Sequence, residues 1–292
     1  MQTAALRFGE LLAEKSGGKY SVKVYPSNQL ASGNQQTAVE MVQYGDIEMS
    51  MFGMTVLSFL DDRLAVVNMP FLINSTEEAD RYIYDENAES RKALDDILAE
   101  NGMISVAFGE AGFRQITNSK REIRKPEDLK GLKIRVLGTC PMFFDLYDQL
   151  GADPTAMNMS EVFSALQQGV VDGQENAVDT AKSYRLSEVQ KYITCWNGVY
   201  DAVAFVASPV FWEKVGDDAA MIRECAVQAM AEQVASCRAS EASILEEFAQ
   251  TMTVTHLTEE EIAAFEAAVE PVYDIWTDKI GADLLAKFGY QK

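Results

Sequence analysis

From Leu6 to Asp172 the apolar residues switch repeatedly between helical and strand spacing, and a chain with that alternation buries both kinds of face only by laying helices against a sheet. Leu6, Phe8, Leu11 and Leu12 cluster on one face of a first helix that Gly17-Gly18 stops, and Tyr20–Tyr25 alternates as a strand up to Pro26. Ser32-Gly33-Asn34 turns into a second helix carrying Ala38, Val39, Met41 and Val42 and closed by Gly45, with Ile47–Phe52 as the next strand. Residues 76–102 read as helix broken near Asp85, and Met103–Phe108 as strand. From Gly112 the pattern restarts, with strands at Phe113–Asn118, Leu132–Val136 and Val170-Val171-Asp172 and helices at Thr139–Leu150 and Ser160–Gln168. Ser160 suits the N-cap of the last of these, Glu161 its positive end, and Gly169 its stop. Two α/β units thus follow each other with no long linker. The remainder is helical: Thr258 and Glu261 form a capping box with Leu257 and Ile262 as staple. The helix they open buries Ile262, Phe265, Val269, Val272, Tyr273, Trp276 and Ile280, with a kink expected at Pro271.

Two arginines, Arg114 and Arg135, stand inside stretches that read as buried strand, and downstream of both runs Asp172-Gly173-Gln174-Glu175-Asn176. The 292-residue chain carries a formal net charge of −20, with 25 Lys and Arg against 45 Asp and Glu. Cations committed to interior strands are costly unless something anionic meets them, which makes a small carboxylate the first ligand to consider. The field of so acidic a chain repels an anion at long range, so any anion site has to be a local positive pocket. The same field repels phosphate backbones and anionic headgroups, which argues against nucleic acid and membrane surfaces as partners.

Catalytic signatures are sparse. The single histidine, His256, sits just before the staple of the final helix, at a surface or capping position, and no GxSxG accompanies it. There is no GxGxxG, and Lys19 lacks the upstream glycine and following Ser or Thr of a phosphate loop. Cys140, Cys195, Cys225 and Cys237 form no CxxC pair and have no histidine nearby, so neither a metal nor a cofactor is expected. They read as apolar fillers, Cys225 at helical spacing with Ile222, Ala226 and Ala229. No run approaches the length of a bilayer-spanning helix, and Met1 is not followed by a basic-then-apolar leader.

In Gly131-Leu132-Lys133-Ile134-Arg135-Val136, strand alternation puts Leu132, Ile134 and Val136 on one face and Lys133 with Arg135 on the other. Alone, that is compatible with a solvated basic face. The run from Asp172 to Asn176 is placed at the carboxyl end of a strand, where open α/β sheets hold ligands, although an ordinary turn has the same composition. Its glycine allows close backbone approach, and its Gln, Glu and Asn supply donors and acceptors that a dry core tolerates only when paired.

Together these stretches resemble the DctP-type substrate-binding proteins of tripartite ATP-independent periplasmic (TRAP) transporters. The resemblance covers nearly the whole chain: Tyr25-Pro26-Ser27-Asn28-Gln29-Leu30 with Gly33, Met69-Pro70-Phe71-Leu72, and Gly112-Phe113-Arg114-Gln115-Ile116-Thr117-Asn118. It continues through Asp128–Val136, Gly151-Ala152-Asp153-Pro154-Thr155, Ser160-Glu161-Val162-Phe163 and the run ending at Asn176.

The resemblance implies an α/β, two-lobed periplasmic-binding-protein-like fold with crossing segments and a long helix spanning both lobes. One lobe corresponds to residues 1–112 plus about 201–241, the other to 113–200 plus about 242–292. It implies that Arg135 grips the ligand carboxylate bidentately, that Arg114 and Asn176 add contacts, and that Met159, Phe52 and Gly53 face the ligand. Gln174 and Glu175 would hold the site together. The implied protein is periplasmic and monomeric, and it delivers a small organic acid to membrane permease subunits without itself entering the membrane. The family ordinarily opens with a strand before the first helix, and this sequence starts after that point. Gly138 stands where sialic-acid-binding relatives carry asparagine, which argues against that ligand. Two other readings remain: an α/β enzyme using Glu175 or Asp172 as base on an organic acid, and a sensor with the same trap but no transport partner.

Overall fold

A computed structural model describes residues 1–291. Helices α1 (Gln2–Lys15) and α2 (Gln35–Tyr44) precede strand β1 (Met49–Gly53). The Asn34 side chain opens α2 by accepting from the Thr37 amide at 3.0 Å. A short α3 (Met54–Leu57) leaves straight from β1, and α4 (Thr76–Ala79) is separated from α5 (Glu89–Glu100) by a π-helical turn and the extended Asp85, the break expected there. Then come β2 (Ile104–Asn118), β3 (Lys133–Val136), α6 (Pro141–Gln149), β4 (Asp153–Ala156), α7 (Met159–Gln168) and β5 (Gly173–Ala177). The chain continues through α8 (Val178–Ser183), β6 (Tyr192–Ala207), α9 (Pro209–Val215) and α10 (Ala219–Phe248). It closes with β7 (Thr253–His256), α11 (Glu259–Ile280) and α12 (Ala282–Lys287).

All seven strands belong to one sheet in the order β1-β6-β2-β5-β3-β4, with β7 also paired to β6. Its spine is the antiparallel ribbon of β2 and β6, 15 and 16 residues long. β1 pairs with residues 203–207 at one end of that ribbon, and β5 with residues 114–118 at the other, so the two halves of the molecule are strung on a shared pair of strands. The ladder shifts register between Glu110 and Gly112, where Gly112 takes a φ of 95° that a side chain would resist. Helix α10, 30 residues long, lies along both halves: Lys15 of α1 pairs with its Glu224, and Lys182 of α8 with its Glu247.

The structure corrects several expectations. Met103–Phe108 and Phe113–Asn118 are not two strands but one, because the bulge around Glu110–Gly112 interrupts the alternation without ending the ladder. Tyr20–Tyr25 is in no sheet: no strand pairs with it among the described residues, and Val22 and Tyr25 are 38% and 42% exposed. Helix α7 starts at Met159, so Ser160 lies inside it and Asn158 takes the N-cap position. The stretch Asp153–Ala156 is an edge strand, where Pro154 costs the sheet little. Helix α11 begins with the expected capping box and runs on through Pro271, burying Phe265, Val269, Val272, Trp276 and Ile280, while Ile262 and Tyr273 are only half-buried. Three cysteines are buried, Cys237 is half-buried, and all four are free thiols.

The largest correction concerns the polar run. Val170 and Val171 do not form the strand; Gly173–Ala177 does, and every residue of it is buried. Gly173 permits this, since a Cβ there would lie 2.2 Å from the Thr117 carbonyl oxygen on the neighbouring strand. Gly173→Ala is therefore expected to lower the unfolding free energy by about 1–3 kcal/mol through overpacking, read as a lower urea midpoint at unchanged slope.

Candidate functional site

A strand made of Gln174, Glu175 and Asn176 survives in the core only if every polar atom finds a partner. The Gln174 amide donates to the Thr117 hydroxyl at 2.9 Å and its carbonyl accepts from Asn176 at 2.7 Å. Glu175 meets Arg114, one strand over on β2, in a fork: Nε donates to one carboxylate oxygen and Nη2 to the other at 3.0 Å. Arg114 Nη2 also donates to the Asn176 side-chain oxygen at 3.1 Å, and Nη1 to Asp201 at 2.9 Å. At most one of the five N–H groups of Arg114 is left over. Burial opposes its charge, but the two carboxylates outweigh that and raise its pKa, while burial pushes Glu175 upward against the pull of Arg114.

Asp201 ties this cluster to the other half of the molecule. It accepts from the Thr55 amide and hydroxyl at 3.3 and 2.9 Å and from Asn68 at 3.2 Å. Gly53 is close beside it, since a Cβ there would sit 3.0 Å from the Asp201 carboxylate. Thr55 in turn accepts, through its carbonyl, from the Thr139 hydroxyl at 3.2 Å, a direct bond to the loop that follows β3. Sequence reasoning missed Asp201, yet the signal was there: a lone carboxylate in the apolar run Val199-Tyr200-Asp201-Ala202-Val203 is as anomalous as the two arginines.

Arg135 differs from every other buried cation. It is 1% exposed, and its Nε and Nη2 both donate to the Met157 carbonyl, at 2.9 and 2.7 Å. Arg91 is paired with Asp95 and Arg114 with Glu175 and Asp201, but among the described residues Arg135 makes no ion pair. Burial pulls its pKa down to about 10, with Glu175 opposing the fall and Arg114 adding to it, so it is charged at neutral pH and poorly compensated. The solvated basic face is thereby excluded: Lys133 is exposed as strand alternation requires, but the chain around Met157, between β4 and α7, covers Arg135. The Met157 carbonyl occupies the Nε–Nη2 side of the guanidinium, and among the described residues Nη1 has no hydrogen-bond partner.

The remaining expected residues divide. Asn176 accepts from Arg114 with its oxygen, so its nitrogen must donate, and that nitrogen has only the weak Met159 sulfur, at 3.7 Å, beside Gln174. Met159 is thus next to Asn176. Phe52 is 3% exposed and packed in the largest apolar cluster, and Gly53 lies against Asp201. Among the described residues no cluster of His, Cys, Asp and Glu could hold a metal ion, and no helix is long and apolar enough to cross a membrane.

Two α/β halves on a shared ribbon, with a long helix along both, define a two-lobed α/β fold, and Arg135 is a buried arginine without an ion-pair partner among the described residues. The chain belongs to the family of bacterial extracellular solute-binding proteins, family 7, whose model matches residues 1–279. It is 34% identical over 204 residues to an uncharacterized protein of Haemophilus influenzae, covering 70% of this chain and 60% of that one. It is 31% identical over 291 residues to the C4-dicarboxylate-binding periplasmic protein DctP of Rhodobacter capsulatus, covering 97% and 84%. A solved TRAP periplasmic solute-binding protein from Ralstonia eutropha, with bound (S)-2-acetolactate, superposes with a TM-score of 0.90 at 34% identity, covering 98% of this chain and 92% of that one. Against the first two curated relatives the match spans only 60% and 64% of their length.

Proposed function

We propose that this chain captures a small organic acid outside the cytoplasm, in the periplasm, and delivers it to the membrane permease of a TRAP transporter. The observation that carries the reading is Arg135, a buried guanidinium without a carboxylate partner, in a family of solute-binding proteins. In this reading the ligand carboxylate takes the open Nη1 edge of Arg135, and the Asn176 amide turns from the Met159 sulfur to a ligand oxygen. Arg114 contributes its one spare N–H, while Glu175, Gln174 and Asp201 hold it and Asn176 in place. Met159 and Gly53 border the ligand, and Phe52 supports the wall from within the core.

The lobes are residues 1–112 plus about 201–241 and residues 113–200 plus about 242–292, hinged where β2 and β6 cross between them. Ligand enters on the Arg135 side, and closure adds contacts such as Thr139 to Thr55, so the differential contacts of the shut state set affinity. The chain acts as a monomer and performs no chemistry on its cargo.

A thermal-shift screen of small organic acids tests this. At 100 times its Kd a ligand stabilises the folded state by about 2.7 kcal/mol, so a binding acid is expected to raise the melting temperature clearly. Mass spectrometry of the recovered ligand should find it unchanged; a converted product would instead support an enzyme using Glu175 or Asp172, and a screen in which no acid shifts melting would overturn the reading.

A further inference from the structure

We propose that Thr117 and Gln190 are positioning residues for capture, acting through Asn176: they anchor a one-way train of buried hydrogen bonds that dictates which atom of Asn176 meets the ligand. This rests on the organic-acid reading above, in which the Asn176 amide serves a ligand oxygen. The train starts at Arg114, whose Nη2 donates to the Asn176 side-chain oxygen at 3.1 Å. Asn176 Nδ2 donates to Gln174 Oε1 at 2.7 Å, Gln174 Nε2 to the Thr117 hydroxyl at 2.9 Å, and that hydroxyl to Gln190 Oε1 at 3.0 Å. Gln190 Nε2 then donates to the Ser119 hydroxyl at 2.8 Å and to the Val189 carbonyl at 3.1 Å, and the Ser119 hydroxyl donates to the same carbonyl at 3.0 Å.

The two ends fix the direction. A guanidinium has no acceptor and a backbone carbonyl no donor, so every bond between them has to run from Arg114 toward Val189. Thr117, Gln174 and Gln190 are 1%, 0% and 3% exposed, so an amide turned the wrong way would set two N–H groups, or two oxygens, against each other with no water to relieve them. Arg114 orients Asn176 from one side. On the other side the Thr117 hydroxyl accepts from the Gln174 amide, and Gln190 sets the rotation of that hydroxyl by accepting its hydrogen. Gln174 therefore has to offer its oxygen to Asn176, which keeps the Asn176 nitrogen, and not its oxygen, directed at the Met159 sulfur 3.7 Å away. That thioether is a weak acceptor, which a carboxylate oxygen would displace.

The test uses Thr117→Val, which keeps the shape and removes the hydroxyl, and Thr117→Ser, which keeps the hydroxyl. In amide correlation spectra of nitrogen-labelled, ligand-free protein, the Asn176 side-chain signals, assigned by their loss in Asn176→Ala, are expected to move in Thr117→Val and in Gln190→Leu and to stay in place in Thr117→Ser. Succinate, lactate, pyruvate and (S)-2-acetolactate are titrated calorimetrically into each variant. An acid that binds the wild-type protein is expected to bind Thr117→Val about 3- to 30-fold more weakly and Thr117→Ser almost as tightly as the wild type. With Asn176→Ala already present, Thr117→Val should cost little further affinity, because the residue it acts through is gone. A purely structural role would lower the melting temperature without that dependence on Asn176. Unmoved Asn176 signals, or a loss of affinity that is the same with and without Asn176, overturns the inference and leaves the organic-acid reading intact. If none of the four acids binds the wild-type protein, that reading fails and the role in capture falls with it.

Discussion

Arg135→Ala is expected to weaken binding of the cognate acid by about 30- to 4000-fold, the equivalent of ~2–5 kcal/mol. The size follows from where the guanidinium is. At 1% exposure its contribution is not screened by water, and no other cation at the site is free to replace it, because Arg114 is held by Glu175 and Asp201. The fold should tolerate the change well, since Arg135 surrenders only two hydrogen bonds to one carbonyl and sheds an uncompensated buried charge. The variant is therefore expected to keep or raise its melting temperature without ligand and to lose the ligand-induced shift. Arg135→Lys should fall between, because an ammonium keeps the charge but cannot both satisfy the Met157 carbonyl and grip a carboxylate with two parallel bonds. Calorimetric titration of both variants checks the order; an alanine variant with unchanged affinity would remove Arg135 from the site.

Arg114→Ala should behave in the opposite way, damaging the fold first. It leaves Glu175 and Asp201, 1% and 2% exposed, without their shared cation, and breaking a buried pair by removing one partner typically costs about 3–5 kcal/mol. Asn176 loses the donor that orients it, so binding falls as well. The deficit should depend on pH in a definite direction. Burial already holds the folded pKa of Glu175 above the unfolded value, and without Arg114 only Arg135 still opposes that push, so it would rise further. A carboxyl of that kind is tolerated while protonated and destabilises once ionised, so the deficit should be full above the raised pKa and shrink as pH falls toward the ordinary carboxylate range. Urea unfolding of the variant at several pH values measures this; a deficit independent of pH would mean that Glu175 has found another partner.

Much of this was legible in the residues. The switching of apolar spacing gave the layered α/β class, because layers follow from local periodicity alone. Arg114 and Arg135 stood out because a cation in a strand-like run is anomalous wherever it occurs. What separates the two arginines was not legible: one is neutralised by Glu175 and Asp201 and the other is not, and those partners arrive from strands 61 and 87 positions away. The polar run from Gly173 to Asn176 reads from sequence as the end of a strand for the same reason. Its composition is that of a turn, and only pairing with Thr117 and Arg114 across the ladder makes it a buried strand. The alternation at Tyr20–Tyr25 failed in the opposite sense, since spacing shows which face a strand would bury and not whether another strand lies beside it.

The ribbon of β2 and β6 has a mechanical consequence. A waist made of two hydrogen-bonded strands resists sliding and twisting of one lobe on the other, because either motion would break several ladder bonds at once. In the hinged reading proposed above it would yield first at the Glu110–Gly112 irregularity, with α10 running alongside. On that reading, opening and shutting would retrace a single arc, bringing Thr139 back to the Thr55 carbonyl in the same register each time.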